Sequence, residues 1–326
     1  MKGRNLLSRL FAHSLTTESM MPAPAQAQTR SLAGVQLSWE SDPRWGREHW
    51  QIRQEPIQWP NNARVAVVCA VTFGFPDMNF KAPPQGAFGY GGPVGYSHIQ
   101  LYGKRGIWRI LDALDRYRIK ASCEISGIAA EQFPDIVKET TRRGHEIVAR
   151  HWALNVFHDE HPVDVDRQLI RKTISTIEKV TGKRSTGWVA PDLRFGEKTL
   201  QILAEEGIGW HACSLSDELP YAIQVSGKRM LVLPHAEEHF VDAEHVMHVR
   251  APEIFLEYFN REFGTLYREG AKTPKIFNVS FQAQFGGRPY FIGVVEEVLS
   301  NLTRTADVWI ATRQQIADWW NERKYS

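Results

Sequence analysis

The stretch RVAVVCAVTFGFPDMNF, Arg64–Phe80, decides how the rest of the chain is read. Its first half, Val65 to Phe73, is an unbroken run rich in β-branched residues, entered through the turn residues Pro60-Asn61-Asn62. A strand that is polar on one face alternates, whereas one covered on both faces is continuously apolar, as in a parallel sheet flanked by helices. In such sheets the loops leaving the carboxyl ends of the strands carry the chemistry. Here that loop opens Thr72-Phe73-Gly74-Phe75-Pro76, with no acid or base before Asp77. An inert run stands where a reactive one is expected.

Working outward, the same grammar repeats. Apolar residues at helical spacing (Ile107, Leu111, Leu114) follow a long loop rich in glycine and proline. KASCEIS reads as a second strand, GIAAEQFPDIVKETTRRG as a helix stopped by Gly144, and HEIVARH as a third strand. An amphipathic helix over 165–180, the strand STGWVAP and a helix closed by Gly207 come next. IGWHACS and MLVLPHA are strands five and six. A helix from Pro252 to Arg268 with an aromatic face, the strand KIFNVSFQAQ, a helix in IGVVEEVLSNL, the strand VWIAT and the helix RQQIADWW complete the series. This alternation, without internal repeats, predicts a parallel α/β architecture.

Composition narrows the function classes. The 326 residues are 43% hydrophobic and 23% charged, an ordinary globular balance. A net charge of +2 offers no basic field for nucleic acid or anionic membranes, and no run of apolar residues is long enough to span a bilayer. Glycine-rich phosphate loops are absent. Cys69, Cys123 and Cys213 each sit in an apolar strand-like run, the usage of small buried hydrophobes in a reducing compartment. Residues 1–45 differ from the rest: a basic start and an Ala-Gln-Ala patch resemble a signal peptide, but Ser8 and Arg9 interrupt the apolar run. The reading is an N-terminal arm, flexible or contacting a second subunit of a homo-oligomer, followed by one domain over 46–326 in a cytoplasmic protein.

Seven stretches in one order carry a family likeness: WPNNARVAVV, YGKRGIWRILDALDRYRI, RRGHEIVARHWALN, TGKRSTGWVAP, LAEEGIGWHACSLSDELPY, GGRPYFIGVVEEVL and VWIATRQQIADWW. Together the chain resembles the polysaccharide deacetylase (NodB-homology) family, nearest its branch of amide hydrolases that includes metal-independent allantoinase and cyclic imide hydrolase. The resemblance implies a distorted (β/α) barrel of about seven parallel strands, hydrolysis of a non-peptide carbon–nitrogen bond, and a small-molecule substrate. It also marks departures. Metal-dependent members place two acids where this chain has Gly74 and Phe75, two histidines where it has Arg150 and Leu154, and a histidine where it has Gln282. These side chains are not divalent-metal ligands, and Arg150 repels a cation. No metal and no other cofactor is therefore expected. The metal-independent branch keeps a carboxylate pair after strand one, which this chain also lacks.

The polar groups that remain at strand ends are the candidates. Glu124 interrupts an apolar strand and is expected to pair with Arg150 on the neighbouring one, either as an architectural ion pair or as a relocated general base. Asp192 is the second catalytic candidate, orienting Arg194 or simply capping a turn. Thr72, Asp77, Arg150, His151, Trp152, Arg194, His211, Asp217, Gln282 and Gln284 are the candidate substrate-binding residues. Only one of Arg150 and His151 can face inward, because strand side chains alternate. Gln282 and Gln284 share a face and suit an amide or urea edge. The histidines of HAEEHFVDAEHVMH are read as a solvated, partner-facing or lid segment, a metal site being the alternative, and Phe88, Tyr90, Tyr96 and Tyr102 as an aromatic lid or as core packing. Three functions stay open: a metal-independent hydrolase of small amides, imides or ureides, an inactive family member that binds or assembles, and a metal-dependent carbohydrate deacetylase.

Overall fold

The computed structural model describes residues 57–79, 100–196, 198–236, 241–243, 248 and 250–323. The arm over 1–45, the loop residues Phe88, Tyr90 and Tyr96, and His239 and His245 lie outside these.

The first strand, β1 (Val65–Phe73), is fully buried along its length, as its continuous apolar run predicts. Helix α1 (Gly103–Arg116) leads to β2 (Ser122–Ile125), and β3 (Glu146–Ala149) follows two helices, α2 (Gly127–Gln132) and α3 (Pro134–Arg142). The single helix expected over 127–142 is broken because Pro134 forces Phe133 out of helical geometry (φ −130°, ψ 53°). Helix α4 (Val163–Thr181) returns to β4 (Gly187–Trp188), and α5 (Thr199–Glu205) to β5 (Trp210–Ser214). Gly187 has to be glycine: an added Cβ would lie 2.0 Å from the Trp210 ring.

A hairpin of β6 (Tyr221–Val225) and β7 (Lys228–Pro234) comes next, turning at Ser226 (φ 51°) and Gly227 (φ 76°). Two successive positive φ angles are those of a type I′ turn. β6 was not expected; its Ser-Gly turn and the alternation Tyr221, Ile223, Val225 were the available signal. The series ends with α6 (Pro252–Glu269), β8 (Lys275–Gln282), α7 (Ile292–Arg304), β9 (Val308–Ile310) and α8 (Arg313–Glu322).

Among the described residues the strand order is β6-β7-β5-β4-β3-β2-β1-β8, with only β6 antiparallel. The lower half of β1 pairs with β9 and the upper half with β2, so eight strands are parallel rather than about seven. Backbone hydrogen bonding leaves the sheet open, among the described residues, between its two terminal strands β6 and β8; this seam runs past the end of β7. Val241, from the segment after β7, bridges Ser280 on the open side of β8.

Two apolar clusters reveal which way each strand faces. The larger joins Val67, Cys69 and Phe73 to helices α1, α2, α4 and α7 and is the outer layer. The smaller joins Ala66, Val68, Val148, Leu231, Leu233 and Ile276 to Trp59, Ile316 and Trp320, and fills the barrel. Helix α8 therefore plugs the barrel floor. It is anchored by a capping box in which Thr312 and Gln315 exchange side-chain and backbone hydrogen bonds.

Candidate functional site

Counting by twos up each strand from the inner apolar layer places Thr72, Glu124, Arg150, His235, Asn278, Ser280 and Gln282 on the barrel interior. Arg150, not its neighbour His151, is the inward residue. The polar layer lies directly above the hydrophobic plug.

Glu124 is its centre and is fully buried. Its Oε2 accepts from Thr72 Oγ1 at 3.1 Å and from Arg150 Nη1 at 2.5 Å. Its Oε1 accepts from Arg313 Nη1 at 2.5 Å. Burial pushes this carboxyl up, but Arg313 and Arg150 outweigh that and hold it down at about 2. A carboxylate clasped by two guanidiniums is a permanent charge and a poor proton acceptor, so the pairing with Arg150 is present in its architectural form. Arg313, the first residue of α8, was not among the expected site residues. Its signal was a charged residue entering a helix directly after a short inner strand. Arg313 is fully buried, and its Nε and Nη2 have no hydrogen-bond partner.

His235 faces the same cluster, with Nε2 3.8 Å from Glu124 Oε1. Its Nδ1 lies 2.9 Å from the Ala236 carbonyl oxygen, which can only accept, so Nδ1 carries the proton and Nε2 the lone pair. Burial lowers the ring to about 4, with Glu124 opposing and Arg313 reinforcing. At neutral pH His235 is an uncharged base whose buried Nε2 has no partner. It also lines a cavity of about 270 Å³ at the seam, together with Asp217, Glu218 and Asn278. Reading this histidine as part of a solvated segment missed it; the apolar MLVLP run leading into it was the clue.

The expected metal positions do not form a metal site. An added Cβ at Gly74 would lie 2.8 Å from Leu154 Cδ2, so the leucine fills the space an acid there would need. Phe75 packs on Phe73 and Phe133, with ring centroids 5.1 and 4.9 Å away. Arg150 is committed to Glu124, and Gln282 Oε1 accepts from Gln284 Nε2 at 2.6 Å. The divalent metal of the metal-dependent branch does not fit these side chains.

Behind β3, outside the barrel, a second buried group joins His151, His158 and Asp166, whose ligand atoms lie within 4.8 Å of one another. The spacing suits a metal but the hydrogen bonding does not. Trp188 Nε1, a donor only, points at His158 Nε2 (3.2 Å), so His158 Nδ1 holds the proton it donates to Asp166 Oδ1 at 2.6 Å. A protonated Nδ1 is no ligand, and the group is a packed network with the His151 and His158 rings stacked at 3.9 Å. His151 has φ 30°, a strained value for a non-glycine residue, and burial, then His158 and His161, keep it neutral.

The remaining candidates fall away from Glu124. Asp77 accepts from Trp152 Nε1 at 2.8 Å and from Asn79, and its backbone exchanges hydrogen bonds with the Asn155 amide. It fastens the loop after β1 to the loop after β3. Asp192 is exposed on a turn after β4 at φ 49°, and no hydrogen bond or ion pair joins it to the Glu124 cluster. Arg194 binds Asp159 at 2.8 Å and Glu160 at 3.1 Å across the Phe157 ring. These pairings correct the expectation that Asp192 orients Arg194. His211 points into the outer layer, edge-on to Phe195, with burial lowering it to about 4. Asp217 caps its own turn by accepting from the Leu219 N–H at 3.0 Å. Asp242, not anticipated, accepts the Gln282 N–H at 2.9 Å and is pushed up to about 8 by burial, against hydrogen bonds from Gln282, Gly286 and Ala243.

Residues 95–210 match the family model described as Polysaccharide deacetylase. A Schizosaccharomyces pombe protein described as a polysaccharide deacetylase is 23% identical over 301 residues, covering 81% of this chain and 92% of that one. The peptidoglycan deacetylase of Helicobacter pylori is 28% identical over 144 residues, 42% of this chain and 47% of the relative. Among solved structures, PuuE allantoinase superposes with a TM-score of 0.76 at 23% identity, over 84% of this chain and 96% of that one. That last likeness is one of fold.

Proposed function

The chain belongs to the polysaccharide deacetylase (NodB-homology) family of hydrolases, and from that premise we propose that it cleaves a non-peptide carbon–nitrogen bond of a small amide, imide or ureide without a metal. The observation that carries the proposal is His235, a residue of the seam cavity lining whose neutral Nε2 is buried without a partner beside the Glu124 cluster.

Water attacking the substrate carbonyl gives up a proton to His235 Nε2, and the imidazolium returns it to the departing nitrogen. Negative charge developing on the carbonyl oxygen is met by a guanidinium, with Arg150 the partly exposed one. Glu124 is a positioning residue here: it holds Arg150 and Arg313 in place and takes no proton. Gln282 and Gln284, hydrogen-bonded to each other, offer an amide edge for orientation.

The test is turnover of a panel of hydantoins, cyclic imides, ureides and N-acyl compounds, with and without chelator, alongside His235→Gln. Hydrolysis that survives chelation and falls about 10²-fold or more in His235→Gln supports the proposal. Activity lost on chelation and restored by zinc refutes it in favour of the metal-dependent deacetylase.

A second reading is favoured by the sealing of Glu124 between two arginines: a member of the family that binds without turnover. It predicts saturable binding of a small molecule and no hydrolysis across the panel. A homo-oligomer and a cytoplasmic location belong to the same proposal, checked by sedimentation and cell fractionation.

A further inference from the structure

The seam cavity has a chemical bias that catalysis alone does not require. One wall is apolar, formed by Leu266 of α6 with Ile276 and Phe277 of β8. The polar wall is made of acceptors. Asn278 is 7% exposed and its Oδ1 has no partner. His235 presents the Nε2 lone pair, since Nδ1–H is engaged by Ala236 O. The Ser216 hydroxyl is shared with Ser214 at 2.7 Å and with Tyr221 at 3.0 Å.

Carboxylates frame the opening: Asp217, Glu218 and Glu262 all line the cavity. Lys275, next to Ile276 on β8, is held by Glu218 and lies 3.5 Å from Glu269, which removes it as a counter-charge and leaves Asp217 as the carboxylate open to a ligand. Buried acceptors without donors cost free energy until a donor arrives. Two of them, on residues that line one cavity with carboxylates at its opening, define the missing complement: a cationic group with several N–H bonds, carried on a short aliphatic stem.

We infer that the seam cavity binds an aliphatic amine or guanidine, its cationic head received by Asn278 Oδ1, His235 Nε2 and the Asp217 carboxylate. This names a ligand class for the cavity and rests on the hydrolytic reading only in sharing His235; binding needs no turnover. Electrostatic attraction from the rim makes the affinity fall with added salt.

Titration calorimetry of the full chain at low ionic strength with agmatine, N-propylurea and butyrate tests the inference. Agmatine is expected to bind saturably, at least about tenfold tighter than the neutral urea, with butyrate not binding. Asn278→Leu weakens agmatine about tenfold or more, Asn278→Asp tightens it, and Asp217→Asn, at an exposed site, weakens it and flattens the salt dependence. Circular dichroism checks that each variant is folded, and the two conservative variants decide the matter where the leucine does not fold. Equal or tighter binding of N-propylurea or butyrate overturns the inference, as does an agmatine affinity unchanged in Asn278→Asp and Asp217→Asn. Hydrolysis of a neutral imide without agmatine binding overturns this inference alone. Agmatine binding without hydrolysis of any panel compound supports it and removes the hydrolytic reading alone.

Discussion

Leu154 occupies the side-chain space of Gly74: a Cβ built on the glycine would stand 2.8 Å from Leu154 Cδ2 and 3.1 Å from Cγ. The two positions sit on loops after different strands and are matched to each other. The Leu154 N–H donates to the Phe75 carbonyl at 3.0 Å, which fixes the loop that delivers the leucine. Gly74→Asp is therefore expected to destabilise the fold by about 1–3 kcal/mol through overpacking. Adding Leu154→Ala recovers most of that loss, a positive coupling seen in urea unfolding of the double-mutant cycle. Additive losses would show that the two positions are not matched.

Glu124→Gln tests the centre of the barrel. The substitution keeps shape but leaves Arg313, buried and otherwise partnerless at Nε and Nη2, facing a neutral amide. Removing one member of a buried ion pair typically costs about 3–5 kcal/mol. Glu124→Gln with Arg313→Met is expected to be more stable than Glu124→Gln alone, because the orphaned charge is gone. If Glu124→Gln unfolds at the same urea concentration as the parent chain, the carboxylate is not holding the cluster.

How much of this was legible in the residues follows physical range. The continuous apolar run of β1 announced parallel, doubly covered strands because both-face burial is written locally. Glu124 and Arg150 were legible as a pair because neighbouring strands place them side by side. Arg313 lies 189 residues from Glu124 in sequence, and its approach depends on α8 plugging the floor, which no local pattern encodes. His235 was hidden for a different reason: the histidines and acids that follow it suggest solvent, while its role depends on facing inward at the end of β7. Asp192 and Arg194 looked like a pair from their spacing, but the turn at Asp192 points Arg194 to the acids at 159 and 160.

The three cysteines give a direct chemical check. Burial raises Cys69 and Cys213 to about 12, and raises Cys123 further, with Glu146 and Glu124 adding to it. A thiol reacts as its thiolate, so all three are expected to be inert in the folded protein. Ellman's reagent at mildly alkaline pH should titrate no thiol in the native chain and three after unfolding in urea. Rapid native reaction at Cys213 would mean that the Ala190 N–H to Sγ contact at 3.1 Å opens readily.

Stability should be limited on both sides of neutrality, by different residues. Burial holds His145, His211 and His235 at about 4 and, with His158 and His161, pulls His151 well below its ordinary range, whereas in the unfolded chain each titrates near 6.5. Between those values the unfolded chain binds more protons, so the stability these rings contribute is complete above pH 6.5 and is lost as pH falls toward 4. Asp242 works the other way: its folded value of about 8 lies above the ordinary 3.8, so the folded state keeps a proton through that interval and stability is lost as pH rises toward 8. Four histidines oppose two raised carboxyls, Asp242 and Glu146, on the acid side, giving a steeper limb below pH 6.5 and a shallower one above it. Urea midpoints measured from pH 4.5 to 8.5 should thus peak near pH 6.5. His211→Phe, in the outer layer, should soften the acid limb by roughly one proton, and Asp242→Asn should flatten the alkaline one. Stability that rises on acidification through pH 6.5 would mean that these histidines are charged in the fold, and would remove the neutral His235 on which the proposed chemistry depends.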